Sequence, residues 1–164
     1  MSVRAVVRVS STDGRGLLRD LVSEITGLDA AAIVITATCP DCGGTHGRPT
    51  VDGHPELHVS LARTPGFVVA AVSTTHPIGI DAELLAGSAE RAAAVGALTG
   101  IQSLRHWTRV EAVLKADGRG LRVDPSRVHV DADARFATLE GMRYRLSDPG
   151  LDPAIVVTVA ELLG

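Results

Sequence analysis

Aromatic side chains are nearly absent from this chain: two Phe, one Tyr and one Trp in 164 residues. Single-stranded nucleic acid is usually held on aromatic platforms against which bases stack, so this scarcity argues against that class of function. An excess of charge of one sign is lacking too. The formal net charge of −3 supplies no global field toward DNA or an anionic membrane. Cysteine is confined to Cys39 and Cys42, too few for a disulfide framework. No apolar run is long enough to span a bilayer, and Met1-Ser2-Val3-Arg4 leads into an alternating strand rather than a signal sequence. The expectation is a soluble, cytoplasmic protein without a nucleic-acid or membrane partner.

What is present is aliphatic. Hydrophobic residues make up 45% of the chain, mostly Ala, Val, Leu and Ile, enough for one domain or two small halves sharing a core. Val3 to Val9 alternates like a strand. Gly14-Arg15-Gly16 opens an amphipathic helix with Leu17, Leu18, Leu21, Val22 and Ile25 on one side and Gly27 as its stop. Ile33-Val34-Ile35 is a short strand, and Cys39 to Gly53 is a Gly/Pro/Asp/Thr-rich loop. Strands are expected at Leu57–Leu61 and Phe67–Ser73, around a Thr64-Pro65-Gly66 turn, and again after Pro77. Helices are expected at Ser88–Leu98 and about Gln102–Ala116, the second ended by Gly118. The remainder reads as strands at Arg127–Val130, Phe136–Leu139, Met142–Leu146 and Ala154–Val159.

The hairpin ending in Phe67-Val68-Val69-Ala70-Ala71-Val72 is echoed near the C-terminus by Ile155-Val156-Val157-Thr158-Val159-Ala160. Each hairpin follows a helix. This predicts an α+β fold of two similar halves, residues 1–76 and 77–164, with a ligand cleft between them. Two halves in one chain point to a monomer.

The chemistry concentrates between Ile78 and Lys115. In Ile78-Gly79-Ile80-Asp81-Ala82-Glu83 the two carboxylates share one face of a strand. In Trp107-Thr108-Arg109-Val110-Glu111-Ala112-Val113-Leu114-Lys115, Glu111 and Lys115 share one face of a helix. Convergent carboxylates suit a hard cation such as Mg²⁺, which is typically held by one or two of them plus substrate phosphates. A lysine beside them reads as a phosphate-facing cation. Each pair alone is ordinary surface chemistry; together they indicate a phosphate-handling enzyme. Trp107 shares its helix face with Val110 and Leu114 and is assigned to packing.

With these residues in place, the chain resembles the surfactin-synthetase-type 4′-phosphopantetheinyl transferases, particularly compact, actinobacterial-like members. Arg15-Gly16-Leu17-Leu18 resembles the family's Arg-x-Leu-Leu helix. Cys39-Pro40-Asp41-Cys42-Gly43-Gly44-Thr45-His46-Gly47-Arg48-Pro49 resembles its Gly-(Lys/Arg)-Pro loop. Ile78 to Glu83 and Trp107 to Lys115 resemble its Gly-(Ile/Val)-Asp-x-Glu and Trp-(Ser/Thr)-x-(Lys)-Glu-(Ala/Ser)-x-x-Lys motifs. The resemblance implies two pseudo-symmetric halves, each with helices packed on an antiparallel three-stranded sheet. It further implies transfer of the phosphopantetheine arm of coenzyme A to a serine of an apo acyl or peptidyl carrier protein. Asp81, Glu83 and Glu111 would hold Mg²⁺ (or Mn²⁺), Glu111 would take the serine proton, and Lys115 would stabilise the transferring phosphate. Arg15, Arg48, Pro49 and Arg63 would meet the nucleotide end. Three features depart from the family pattern. Arg63 stands where a phosphate-contacting histidine is usual, Val110 where lysine is usual, and the span from Glu83 to Trp107 is short.

Two other readings compete. One is a relative that binds coenzyme A or a carrier protein without turnover. The other is a zinc-loop interaction protein built on Cys39, Cys42 and His46, with His54 or His58 as fourth ligand. A redox role for the cysteine pair is disfavoured, because the motif lies in a loop rather than opening a helix. Arg105, Arg109, Arg119 and Arg122 flank the carboxylates, as a solvated face or as a dock for an acidic carrier.

Overall fold

The computed structural model describes residues 6–10, as backbone, and residues 13–164. The first part of the strand expected from Val3 lies outside the described residues. The fold is mixed α+β, with three α-helices and antiparallel sheets among the described residues.

A first sheet has the order β1 (Val6–Ser10), β5 (Phe67–Ser73), β4 (His58–Thr64), all antiparallel. Helix α1 (Gly14–Thr26) packs on it. The side chain of Asp13 caps α1 by accepting from the Arg15 N–H at 3.0 Å, and Gly27 ends it at a φ of +76° that favours glycine. Leu18, Leu21 and Val22 of α1 meet Val59, Val68, Ala70 and Val72 of the sheet in one buried cluster. The long loop carries a small ribbon, β2 (Ile35–Thr36) paired with β3 (Thr50–Val51).

The second sheet begins with β6 (Ile78–Leu84). Helices α2 (Ser88–Thr99) and α3 (Leu104–Asp117) follow, then β7 (His129–Val130), β8 (Phe136–Leu139), β9 (Met142–Ser147) and β10 (Ile155–Leu163). Its order is β6-β10-β9-β8-β7. The expectation of three strands in this half is corrected to five. A Glu140-Gly141 turn at positive φ folds β8 back onto β9, and β7 then pairs with β8, extending the sheet beyond the edge where the first one stops. Within it, β6-β10-β9 repeats the connectivity of β1-β5-β4: a strand, a helical segment, and a hairpin whose last strand returns beside the first. The sequence echo corresponds to this repeat.

The two sheets pack on each other through Ala62, Val69 and Ala71 on one side and Ile78, Ile80, Ala82, Ile155, Val157 and Val159 on the other. Strand β6 runs beside β4, where the Ser60 hydroxyl accepts from the Ile80 N–H at 3.0 Å. Side chains alternate along a strand, so Gly79, Asp81 and Glu83 point the opposite way from Ile78, Ile80 and Ala82, toward α3. Gly79 is what lets α3 approach. A Cβ there would overlap the backbone of Ala112 and Ala116. Thr108 of α3 and Thr158 of β10 share a buried hydrogen bond of 2.9 Å, which fixes the helix along the sheet. The strand that carries two carboxylates is thereby pressed against the helix that carries the third.

No helix among the described residues is long and apolar enough to cross a membrane.

Candidate functional site

Asp81, Glu83, Glu111 and Lys115 line one cavity of about 600 Å³ with Arg63 and Arg91. Asp81 is 4% exposed. Its Oδ1 accepts from Lys115 Nζ at 2.8 Å, and the same ammonium donates to the Ile80 carbonyl at 3.0 Å. Its Oδ2 is buried and has no hydrogen-bond partner. Burial pushes the Asp81 carboxyl up to about 8; the Lys115 charge opposes that rise, while the nearby Glu111 charge adds to it. An ionised Asp81 is therefore costly in this setting, and a cation at Oδ2 would relieve the cost.

Glu83 lies elsewhere in the network. Arg91 of α2 holds it, Nη2 donating to Oε1 at 2.7 Å and Nε reaching Oε1 at 3.2 Å and Oε2 at 3.4 Å. Sequence reasoning missed this arginine. It sits eight residues beyond Glu83, across a turn and into an Ala-rich helix, where no short-range spacing rule couples the two. Its being a cation within an otherwise mostly apolar helix was the available signal. Among the described residues, the only group of three His, Cys, Asp or Glu ligand atoms within 4.8 Å of one another is Cys39, Cys42 and His46. The three carboxylates share a cavity without forming a ready-made cage.

A second cavity, of about 1170 Å³, opens beside the first, and Arg63 and Lys115 line both. Its wall includes Arg15, Arg48, Pro49, Arg119 and Arg122. Arg15 Nη2 donates to the Thr45 carbonyl at 3.4 Å, tying α1 to the loop. The Arg48 guanidinium lies over Gly118 at the C-terminus of α3, where a Cβ would stand 2.5 Å from Nη1. Burial draws the Arg48 pKa down and the Asp117 carboxylate pulls it back up. A guanidinium at a helix C-terminus is also favoured by the helix dipole. Arg63, at the far end of β4, has no salt-bridge partner among the described residues and sits beside Gly14 at the start of α1. The four cations expected to meet coenzyme A, Arg15, Arg48, Arg63 and Lys115, all line the larger cavity, and Arg63 and Lys115 line the smaller one as well.

The flanking arginines divide. Arg119 and Arg122 line the larger cavity, whereas Arg105 pairs with Asp148 at 2.7 Å and lines neither. Trp107 is buried in the core under α3, and Val110 is fully buried there as well. Neither His54 nor His58 joins the cysteines; His54 is bonded to Glu56 at 3.0 Å.

The two cavities together are large enough for an elongated organic cofactor, since ordinary ligand pockets measure about 300–1,000 Å³. One end offers carboxylates and a lysine, the other a wall of arginines, the guanidinium being the side chain best matched to phosphate oxygens. No protein-family model matches the chain, and no curated protein matches it.

Proposed function

We propose that this protein is a 4′-phosphopantetheinyl transferase, with the two-halved fold of that family, which moves the arm of coenzyme A to a serine of an apo acyl or peptidyl carrier protein. The observation that carries the reading is the pair Arg63 and Lys115, which join the carboxylate cavity to the arginine-lined one. A pyrophosphate must be cleaved where acidic groups and a lysine meet, while a phosphorylated nucleotide is held nearby by cations. That is the layout of this cleft.

In the proposed step the serine Oγ forms a bond to the β-phosphorus of coenzyme A. The P–O bond to adenosine 3′,5′-bisphosphate breaks and the serine proton passes to the Glu111 carboxylate. Lys115 has three N–H donors, of which Asp81 and the Ile80 carbonyl take two. The third remains for a phosphate oxygen. Asp81 and Glu111, with Glu83, would hold Mg²⁺, whose charge would neutralise the pyrophosphate as the bond breaks. The donors fit such an ion: hard oxygens, with one buried and unpartnered. Arg15, Arg48 and Arg63 would hold the nucleotide and its 3′-phosphate. The chemistry and partners proposed place the protein in the cytoplasm.

One observation favours a binding protein without turnover instead: Glu83 is already neutralised by Arg91. The deciding experiment is the intact mass of apo carrier proteins incubated with the protein, coenzyme A and Mg²⁺, with a chelator control. A gain of one phosphopantetheine arm, lost with chelator, supports transfer. Coenzyme A affinity without any product supports the binding protein, and neither result would overturn both.

Arg91 also makes a prediction. Arg91→Ala frees Glu83, and Mn²⁺ or Mg²⁺ should bind more tightly by calorimetry. The gain should be no more than roughly fivefold, because an ion pair whose arginine is half exposed is worth at most about 1 kcal/mol. Weaker metal binding would show that Arg91 positions Glu83 rather than competing for it. Arg63→Ala should weaken coenzyme A far more than 3′-dephospho-coenzyme A in the same assay; equal losses would remove Arg63 from 3′-phosphate recognition.

A further inference from the structure

The turn at Cys39–His46 plays no part in the proposed transfer, yet it is built with more care than a connecting loop requires. The Cys39 N–H donates to the Gly44 carbonyl at 2.8 Å, and the Gly43 N–H donates to the Cys39 carbonyl at 2.9 Å. Gly43 sits at a φ of +72°, which glycine adopts readily. The Gly44 N–H then points at Cys42 Sγ, 3.4 Å away. The two arms of the loop are closed at Gly47, whose N–H donates to the Ala37 carbonyl at 2.8 Å. A Cβ at Gly47 would overlap the Thr38 backbone. That close return sets His46 across from the cysteines, with Nε2 3.0 Å from Cys42 Sγ.

We propose that Cys39, Cys42 and His46 bind a zinc ion, with the fourth coordination place left to a water or to a ligand within the arginine-lined cavity. Zn–S and Zn–N bonds measure about 2.3 and 2.0–2.1 Å, so the ligand atoms of one ion occupy a shell of a few ångströms. The three donor atoms here lie within 4.8 Å of one another. Two thiolates and an imidazole are a borderline-soft set that suits zinc and discriminates against Mg²⁺. A disulfide would use both sulfurs and leave His46 without a role. Both cysteines are free.

Loading is balanced without redox chemistry. Each thiol releases one proton to solvent and forms one S–Zn bond, and the neutral imidazole adds an N–Zn bond. Zn²⁺ with two thiolates carries no net charge, so it adds nothing to the cations already facing the cavity. Cys39 and His46 line that cavity, as does Arg48 two residues beyond His46. The ion would fasten the loop that presents Arg48. It is independent of the transfer reaction and requires neither Asp81 nor Glu111.

The test is metal content. Protein purified under reducing conditions without chelator should contain about one equivalent of zinc per chain by elemental mass spectrometry. Replacement by Co²⁺ should produce a thiolate-to-metal charge-transfer band. Cys42→Ser and His46→Ala alter exposed side chains, so both variants should keep the far-ultraviolet circular dichroism of the parent while losing the zinc and the band. Thiol reagents should label the parent slowly, and quickly once a strong chelator is added. No zinc and no cobalt band in the reduced parent overturns the proposal, as does full zinc content in both variants. These readouts on the unaltered protein decide it even if a variant does not fold.

Discussion

Glu111→Gln abolishes transfer while the protein stays folded. The substitution keeps the size and the shape of the side chain, and Glu111 is only half-buried on α3, so the packing of the helix on β6 is retained. What it removes is a base and a charge at once. Positioned proton transfer contributes typically 10²–10⁴-fold to a rate, and loss of a metal-holding carboxylate adds to that. The expected fall in carrier modification is therefore about 10³-fold or more. It should be read by intact mass, with coenzyme A binding by calorimetry and a thermal melt on the same preparation. Retained binding and an unchanged melt place the loss in the chemical step. Near-normal turnover would remove Glu111 from the chemistry and leave the serine proton to another acceptor.

Much of this site could be read from the chain because its parts obey the two simplest periodicities. Asp81 and Glu83 are two residues apart on a strand, Glu111 and Lys115 four apart on a helix, and each pair must share a face. That the two faces meet could not be read from either. It depends on Gly79, whose missing side chain admits the Ala112 and Ala116 backbone from a helix more than thirty positions later. Arg91 escaped for the same reason, since a helix has to fold back over β6 before it can reach Glu83. The extra strands of the second sheet were visible as short apolar runs, but the edge they join is fixed only by the Glu140-Gly141 turn and the register of Leu139 against Met142. The grouping of Cys39, Cys42 and His46 was visible as spacing. Its closure depends on the return of the chain at Gly47, and the expected contribution of His54 or His58 failed because both lie beyond that return.

The carboxylates of the cleft are balanced from within the chain. A buried carboxylate without a partner would cost several kcal/mol, and removing one member of a buried ion pair costs roughly 3–5 kcal/mol. Lys115 supplies that partner for the buried Asp81, while Glu83 is met by the half-exposed Arg91. In the proposed reaction the third N–H of Lys115 would meet a phosphate oxygen while its bonds to Asp81 and the Ile80 carbonyl are kept. Arg63, which lines the larger cavity, has no such salt-bridge partner among the described residues, in keeping with the anion-binding role proposed for it.

Gly79→Ala should destabilise the protein and disable the site together. The added methyl would meet backbone rather than a flexible side chain, so neither β6 nor α3 can yield by a change of rotamer. Overpacking of this kind costs typically 1–3 kcal/mol, and the loss of chain entropy in the unfolded state returns only about 0.4–1 kcal/mol. For a chain of this size each kcal/mol corresponds to about 2–4 °C in Tm, which a thermal melt resolves. The same displacement moves Glu111 and Lys115 away from Asp81, because Ala112 and Ala116, the residues that would be struck, directly follow them in α3. Two results separate the possible causes. A lower Tm with lost transfer shows that the close approach of α3 to β6 assembles the carboxylates. A lower Tm with full transfer shows that the contact serves the core alone, and that the carboxylates and lysine hold their positions through Thr108 and Thr158 instead.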